Sequence, residues 1–463
     1  MRKGGRQFLS NGDCVPLDLR HGPVGGRKEM YEPVSTERRE NRFMRELVGP
    51  GDMFLIELMR DFIDREIMPI RREMEASTRG DFALVEEVQK KLVGMGFQGA
   101  FLPPEYGGWN LTSALTYCVI VEEFGRGEPA GIAALGGGAW AFRPAVIAGN
   151  RSLLEDFAPR FTSGEPYVAC FAMTEPSGGC NIENVDMHGR GIHTRAVLDG
   201  DEWVIDGAKV WPTNSGIADV YCVVCNTDPE LGDEGIALIY VPVPTEGFSF
   251  GRFEDKAGFR ASREGDFYFD AVRVPRGYRA AGPGEDAVLL HDNLIFARLF
   301  SASWAVGIAQ GAFDEALAFA RDHGLAGRPL RQHSEAAYQL ADMAIGIQVG
   351  RDSYVNAAYM FDHPETYGSR TSRHMLSRST LAKVFCCDMA VEVTNRAMEI
   401  MGMYGADCAW NVEKYWRDNK IIQLWEGGAQ LGRMDVARGY YPYDQFYHND
   451  LYEAAQSRRG KRE

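Results

Sequence analysis

The hydrophobic period of this chain changes twice, and that order limits what it can become. Apolar residues recur at helical spacing from Met53 to about Ser163, alternate in strand fashion from about Glu165 to Gly277, and return to helical spacing from about Ala287 to about Arg438. A helical stripe and a strand face bury themselves by different geometries, so the pattern predicts an α+β multidomain protein, helical then β then helical. Its 463 residues exceed what one hydrophobic core organises. We expect an arm over 1–52, a helical domain over 53–164, a β domain over 165–280, a helical domain over 281–440 and a tail over 441–463.

Within these blocks, Phe54, Leu58, Phe62 and Ile67 predict one face of the first helix, and Phe101–Gly108 a Pro/Gly break between helices. Asp199-Gly200-Asp201 between alternating runs predicts a hairpin. Ala302–Ala320 predicts a long buried helix, and residues 1–50 have no sustained period. The net charge of −15, from 50 basic and 65 acidic residues, disfavours nucleic acid and anionic membranes as partners. No run of apolar residues is long enough to predict a membrane span. Nine scattered cysteines and an N-terminus without an apolar signal core suit the cytoplasm. Cys222 and Cys225 lie three apart in a β-rich run, where they point to opposite faces, so they read as strand filling and no metal site is expected.

Three stretches carry chemistry. Arg417–Arg438, RDNKIIQLWEGGAQLGRMDVAR, reads as two helical pieces broken at Trp425-Glu426-Gly427-Gly428. A carboxylate on such a break beside an indole is either a solvated turn residue or a partly desolvated base with a raised pKa. Phe171–Asn181, FAMTEPSGGCN, is a Pro/Gly loop whose backbone N–H groups and Thr174 hydroxyl can bind a flat heterocycle or a phosphate. Lys209–Asn214, KVWPTN, offers the Trp211 indole and the Thr213 hydroxyl.

These stretches, with FLPPEYGG, DKAGFRAS and DAVRVP, resemble in order and spacing the signatures of the acyl-CoA dehydrogenase family, over about residues 53–440. The resemblance implies a middle β-barrel or sandwich and a C-terminal four-helix bundle. It implies FAD-dependent α,β-dehydrogenation of an acyl-CoA thioester, with Glu426 removing the α-proton and flavin N5 accepting hydride from the β-carbon. Flavin contacts are implied for Phe171, Met173, Thr174, Gly179, Trp211, Thr213 and Gln430. Substrate contacts are implied for Cys180, Arg298, Trp425 and Gly427, Arg298 being equally readable as a structural ion pair. Ala297 stands where some members carry an alternative glutamate, so Glu426 has no rival there. Asp255–Ser262 and Asp270–Pro275 read as structural turns. An electron-transferring flavoprotein is the implied electron acceptor.

The pattern departs where a neighbouring subunit of the family's tetramer completes the flavin site. His323 stands for an arginine, Ala326 for a phenylalanine, Glu399 for a glutamine and Met403 for a glycine. Losing a guanidinium and gaining a carboxylate weakens a diphosphate site. Three readings remain open: a homotetramer holding flavin in an altered way, a hetero-oligomer with a paralogue, or a flavin-free lyase or hydratase acting on acyl-CoA. A scaffold subunit is disfavoured because it has no need of Glu426. In Gly131–Pro144, three adjacent glycines would open space for a bulky or cyclic acyl group, and Arg143 would either meet a distal carboxylate or face solvent.

Overall fold

The computed structural model describes residues 42–131, 133–179 and 191–440. The first helical block comprises α1 (Pro50–Phe62), a wider turn over Ile63–Ile67, α2 (Arg71–Ser77), α3 (Ala83–Gly94), α4 (Ala114–Gly127), α5 (Ala133–Ala148) and α6 (Arg151–Phe161). The strands are β1 (Ala169–Ala172), β2 (Arg195–Asp199), β3 (Glu202–Lys209), β4 (Val220–Asn226), β5 (Ile236–Pro242), β6 (Phe248–Phe253) and β7 (Gly265–Pro275). The second helical block begins with α7 (Glu285–Asp322), followed by a two-stranded clip, β8 (Gly324–Leu325) and β9 (Arg328–Pro329). It continues with α8 (Ser334–Asp362), α9 (Pro364–Tyr367), α10 (Arg373–Met401), α11 (Val412–Leu424) and α12 (Gly428–Arg438).

Four details differ from the sequence reading. The arm is shorter at its inner end, because Phe43 and Val48 are buried and α1 opens with Pro50 at its first turn, where a missing N–H costs nothing. Phe54 is 64% exposed; Phe62 and Ile67 of the expected stripe are buried, and Met53, Ile56 and Met59 complete the face in place of Phe54. Asp270–Pro275 is the end of β7 and not a turn. The apolar helix α7 is long and apolar enough to cross a membrane, but its most apolar stretch is 94% buried inside the protein, which identifies it as a core helix.

The sheet runs β1-β4-β2-β3-β7-β6, with β5 on β4. The expected hairpin forms, Asp199 pairing with Glu202 across the Gly200-Asp201 turn. Every residue of β4 is buried, and its two faces serve two cores. Val220, Cys222 and Val224 join the large helical core; Tyr221, Val223 and Cys225 join the smaller one inside the curled sheet. Burial pushes both thiols up, Cys225 to about 12, so they are inert filling.

The blocks are tied together by buried polar groups. The Asp362 carboxylate at the end of α8 accepts from the Ala114 and Leu115 N–H groups (2.8 and 3.0 Å) and the Ser113 hydroxyl (2.8 Å), capping α4. Lys414 on α11 donates to Glu128 (2.6 Å) and to Asp418, and Asp418 accepts from the Phe259 N–H. One lysine thereby joins all three blocks and fixes Phe259 beside the start of α12.

Candidate active site

The expected break between α11 and α12 forms, and it is sharper than two glycines require. Trp425 is extended, and Glu426, Gly427 and Gly428 follow at φ +51°, +86° and +63°. A non-glycine residue in the left-handed region costs of order 1 kcal/mol or more, and persists only where its surroundings fix it. Here Lys383 on α10 donates to the carbonyls of Trp425 and Glu426, the latter at 3.2 Å. Beyond the break, Asp435 on α12 forms an ion pair with Arg298 (2.8 Å) and is bonded by Arg438 (2.6 Å). Arg298 is 2% exposed and also donates to Thr380. The structure therefore shows the ion-pair reading of Arg298: burial without a partner would be prohibitive, and Asp435 is that partner.

The Glu426 side chain is half-buried and turns toward α7. Its Oε2 accepts from the Ser301 hydroxyl at 3.0 Å, and the Trp425 Nε1–H donates to the same Ser301 Oγ at 3.0 Å. Ala297, Ser301 and Trp304 recur at helical spacing along one face of α7. The Trp304 ring meets Trp425 (centroids 5.6 Å) and Phe259 (5.4 Å), and Phe259 meets Trp425 edge-on at 5.2 Å. The Trp304 indole N–H is buried with no partner among the described residues. The rings continue through Phe300 and Trp140 to Phe171 on β1, the last pair 4.8 Å apart. A continuous run of aromatic rings thus extends from beside Glu426 to the start of the Pro/Gly loop. Sequence reasoning missed Ser301, Trp304, Lys383 and Phe259.

The loop and KVWPTN come together as expected. The Val210 N–H donates to the Thr174 carbonyl (2.9 Å), and Lys209 donates to the Met173 carbonyl (3.0 Å). Lys209 also pairs with Glu175 (2.8 Å), whose carboxylate accepts from the His193 and Thr194 N–H groups. Burial raises the Glu175 pKa, but Lys209 and these two N–H groups outweigh it and hold the carboxyl below its ordinary range. Trp211, at φ +72°, leaves 51% of itself exposed, Met173 and Thr174 are half-buried, and a side chain at Gly179 would meet nothing within 4 Å. A bare indole beside an open glycine loop fits a flat ring system. The Thr213 hydroxyl donates to Glu264 (3.2 Å), a carboxylate that also accepts from Ser262 and pairs with Lys256. Gln430 is exposed in the first turn of α12 and Gly427 caps that helix. Cys180 lies outside the described residues.

The departing residues gather at the other end of the bundle. His323 stacks on Phe319 (3.8 Å), with Nδ1 3.1 Å from the Phe319 carbonyl, and meets Tyr404 and Trp410. Met403 is 84% exposed, Ala326 sits at φ +50° between β8 and β9, and Glu399 accepts from Asn395 (2.9 Å). Two expectations for α5 are corrected. Arg143 is half-buried, pairs with Asp292 and lies over the Phe296 ring (4.6 Å), so its charge is already engaged within the chain. Of the three glycines, Gly136 borders open space, but Gly137 permits close packing: its Cβ would lie 2.8 Å from the Asn214 amide.

Family models described as the N-terminal, middle and C-terminal domains of acyl-CoA dehydrogenase match residues 53–165, 170–272 and 288–441. The mitochondrial short-chain specific acyl-CoA dehydrogenase of Bos taurus is 30% identical over 379 residues, covering 82% of this chain and 87% of that protein. Cyclohexane-1-carbonyl-CoA dehydrogenase of Syntrophus aciditrophicus is 30% identical over 383 residues, covering 83% and 94%. The solved structure of butyryl-CoA dehydrogenase from Megasphaera elsdenii matches with a TM-score of 0.75 at 26% identity, covering 84% of this chain and 98% of that one.

Proposed function

The chain belongs to the acyl-CoA dehydrogenase family, and from that premise we propose that it carries out FAD-dependent α,β-dehydrogenation of an acyl-CoA thioester with Glu426 as the base. One observation carries this reading: a carboxylate held at positive φ, hydrogen-bonded to Ser301 and walled by Trp425, Trp304 and Phe259. The thioester acidifies the α-carbon, and Glu426 takes its proton at Oε1 or Oε2. The aromatic wall keeps water from competing for that carboxylate. Trp211, Met173 and Thr174 would hold the flavin ring, with Thr213 at its edge. Bound FAD supplies the acceptor for the β-hydride.

The acyl group we propose is short or cyclic. Open space beside Gly136 supports it, as does similarity to dehydrogenases named for short-chain and cyclohexane-1-carbonyl substrates. An electron-transferring flavoprotein is the proposed acceptor of the electrons. We place the protein in the cytoplasm, since the seven described cysteines are free thiols. A tetramer is the proposed assembly. A mixed tetramer with a paralogue is the second reading, favoured by His323 packing into Phe319, Tyr404 and Trp410 in place of a free arginine.

The test is the visible spectrum of the pure protein followed by anaerobic titration with short linear, cyclic and long-chain acyl-CoAs. Yellow protein bleached by a short or cyclic thioester is the expected result. Flavin that appears only on co-expression with a paralogue selects the mixed assembly. Colourless protein that takes up FAD under neither condition overturns the redox reading.

A further inference from the structure

Ser301 has three partners and one proton. Its Oγ lies 2.9 Å from the Ala297 carbonyl, 3.0 Å from Glu426 Oε2 and 3.0 Å from Trp425 Nε1. The indole can only donate, so it occupies a lone pair of the hydroxyl. The hydroxyl proton then has two acceptors: the helix carbonyl one turn back, which serines in helices ordinarily use, and the carboxylate. An ionised carboxylate is the stronger acceptor, so the proton goes to Glu426 when that residue is charged and returns to Ala297 when it is neutral. No sequence motif places a serine at this position.

We propose that Ser301 is a positioning residue, set by the Trp425 indole, that aims the Glu426 carboxylate and favours its ionised form before substrate binds. The proposal rests on the reading of Glu426 as the base. Ser301 is fully buried on α7, so it is fixed in place while the break around Glu426 supplies the carboxylate. Lys383 from α10 is directed at the main-chain carbonyls of Trp425 and Glu426. Burial pushes the Cys387 thiol of α10 up to about 12, so it stays neutral. Arg298, one turn before Ser301, is paired with Asp435 of α12.

The experiment is the pH dependence of kcat/KM for the FAD-loaded enzyme, comparing Ser301→Ala, Ser301→Thr and Glu426→Gln with the parent. The acid limb reports the base in the free enzyme. Deleting a hydrogen bond to a charged group moves that limb to higher pH by about one unit, and Ser301→Thr, which keeps the hydroxyl, restores it. A Ser301→Ala limb that stays in place, with Glu426→Gln inactive, overturns the role of Ser301 and leaves the base standing. Equal losses of kcat at every pH would likewise assign Ser301 to packing alone and overturn it. An active Glu426→Gln enzyme would remove the base and this proposal together. If Ser301→Ala does not fold, Trp425→Phe deletes the N–H and keeps a ring: a shifted limb supports the proposal and an unshifted one overturns it.

Discussion

The two ends of the second helical block are built by different means. At the α11–α12 break, polar groups are held by polar groups: Glu426 by Ser301, the Trp425 and Glu426 carbonyls by Lys383, and α12 by the Arg298–Asp435 pair. At the far end, where α7 meets the β8–β9 clip, aromatic packing prevails. His323 is stacked among Phe319, Tyr404 and Trp410, and Met403 lies bare beside them. At the first end, directional bonds within the chain set a carboxylate to a particular direction. At the second, His323 and Met403 stand where the family resemblance implies an arginine and a glycine. Directional polar bonds thus orient a carboxylate at the first end, while stacked rings set the second.

The largest effect tests the first end. Glu426→Gln keeps size and packing but removes the base, and general-base loss lowers kcat by about 10²- to 10⁴-fold. Thermal unfolding and flavin content should be unchanged, and stopped-flow reduction with acyl-CoA reads the loss. Retained turnover would erase the contrast between the two ends. Next, Asp435→Ala leaves Arg298 and Arg438 buried beside a missing carboxylate and should cost about 3–5 kcal/mol in denaturant unfolding. A loss under about 1 kcal/mol together with a raised KM for acyl-CoA would return Arg298 to the substrate.

What the sequence disclosed follows from distance along the chain. The Asp199–Glu202 hairpin and the break at Glu426 are local, set by glycines and by alternation within a few residues. The same holds for Cys222 and Cys225, whose opposite faces follow from the strand period alone. The partners of Glu426 were hidden, because Ser301 lies 125 residues away and no motif marks it. Phe259 was read as part of a turn because nothing local shows that Asp418 seizes its N–H and presses its ring against Trp425. The partner of Arg143 was hidden for the same reason: Asp292 is on another helix. Phe54 was misplaced because a window with apolar residues at Met53, Phe54, Leu55, Ile56 and Leu58 supports two phases, and only packing chooses between them.

A smaller effect probes the Pro/Gly loop that carries Thr174 and Glu175. Glu175 has a folded-state pKa held below the ordinary value, so its contribution to stability is complete above that value and is lost as pH falls through the lowered one. Glu175→Gln should cost about 1–3 kcal/mol at neutral pH, from the weakened Lys209 pair and N–H bonds. The difference from the parent should shrink when unfolding is followed from about pH 7 to about pH 3. A constant difference over that range would show that the charge of Glu175 is immaterial, and that loop shape alone sets Thr174 and Trp211.

The smallest effect bears on the far end. His323→Ala removes a ring stacked on Phe319 and contacts to Tyr404 and Trp410, worth about 0.5–1.5 kcal/mol beyond buried area. The Nδ1 contact to the Phe319 carbonyl is lost with it, and a water can take its place at this half-buried position. A drop of a few degrees in Tm is therefore expected. FAD content should not change, because the imidazole is directed into its own aromatic cluster and its other contacts are apolar. Flavin content measured by absorbance after gel filtration separates the two cases. Unchanged flavin means this end contributes packing, and the diphosphate is anchored by other groups, in this chain or in a paralogous partner. A tenfold rise in the FAD dissociation constant means that His323 has kept the work of the arginine it replaces. The two ends of the block would then be one cofactor site divided between copies of this chain, and the contrast between them would be one of side-chain chemistry and not of function.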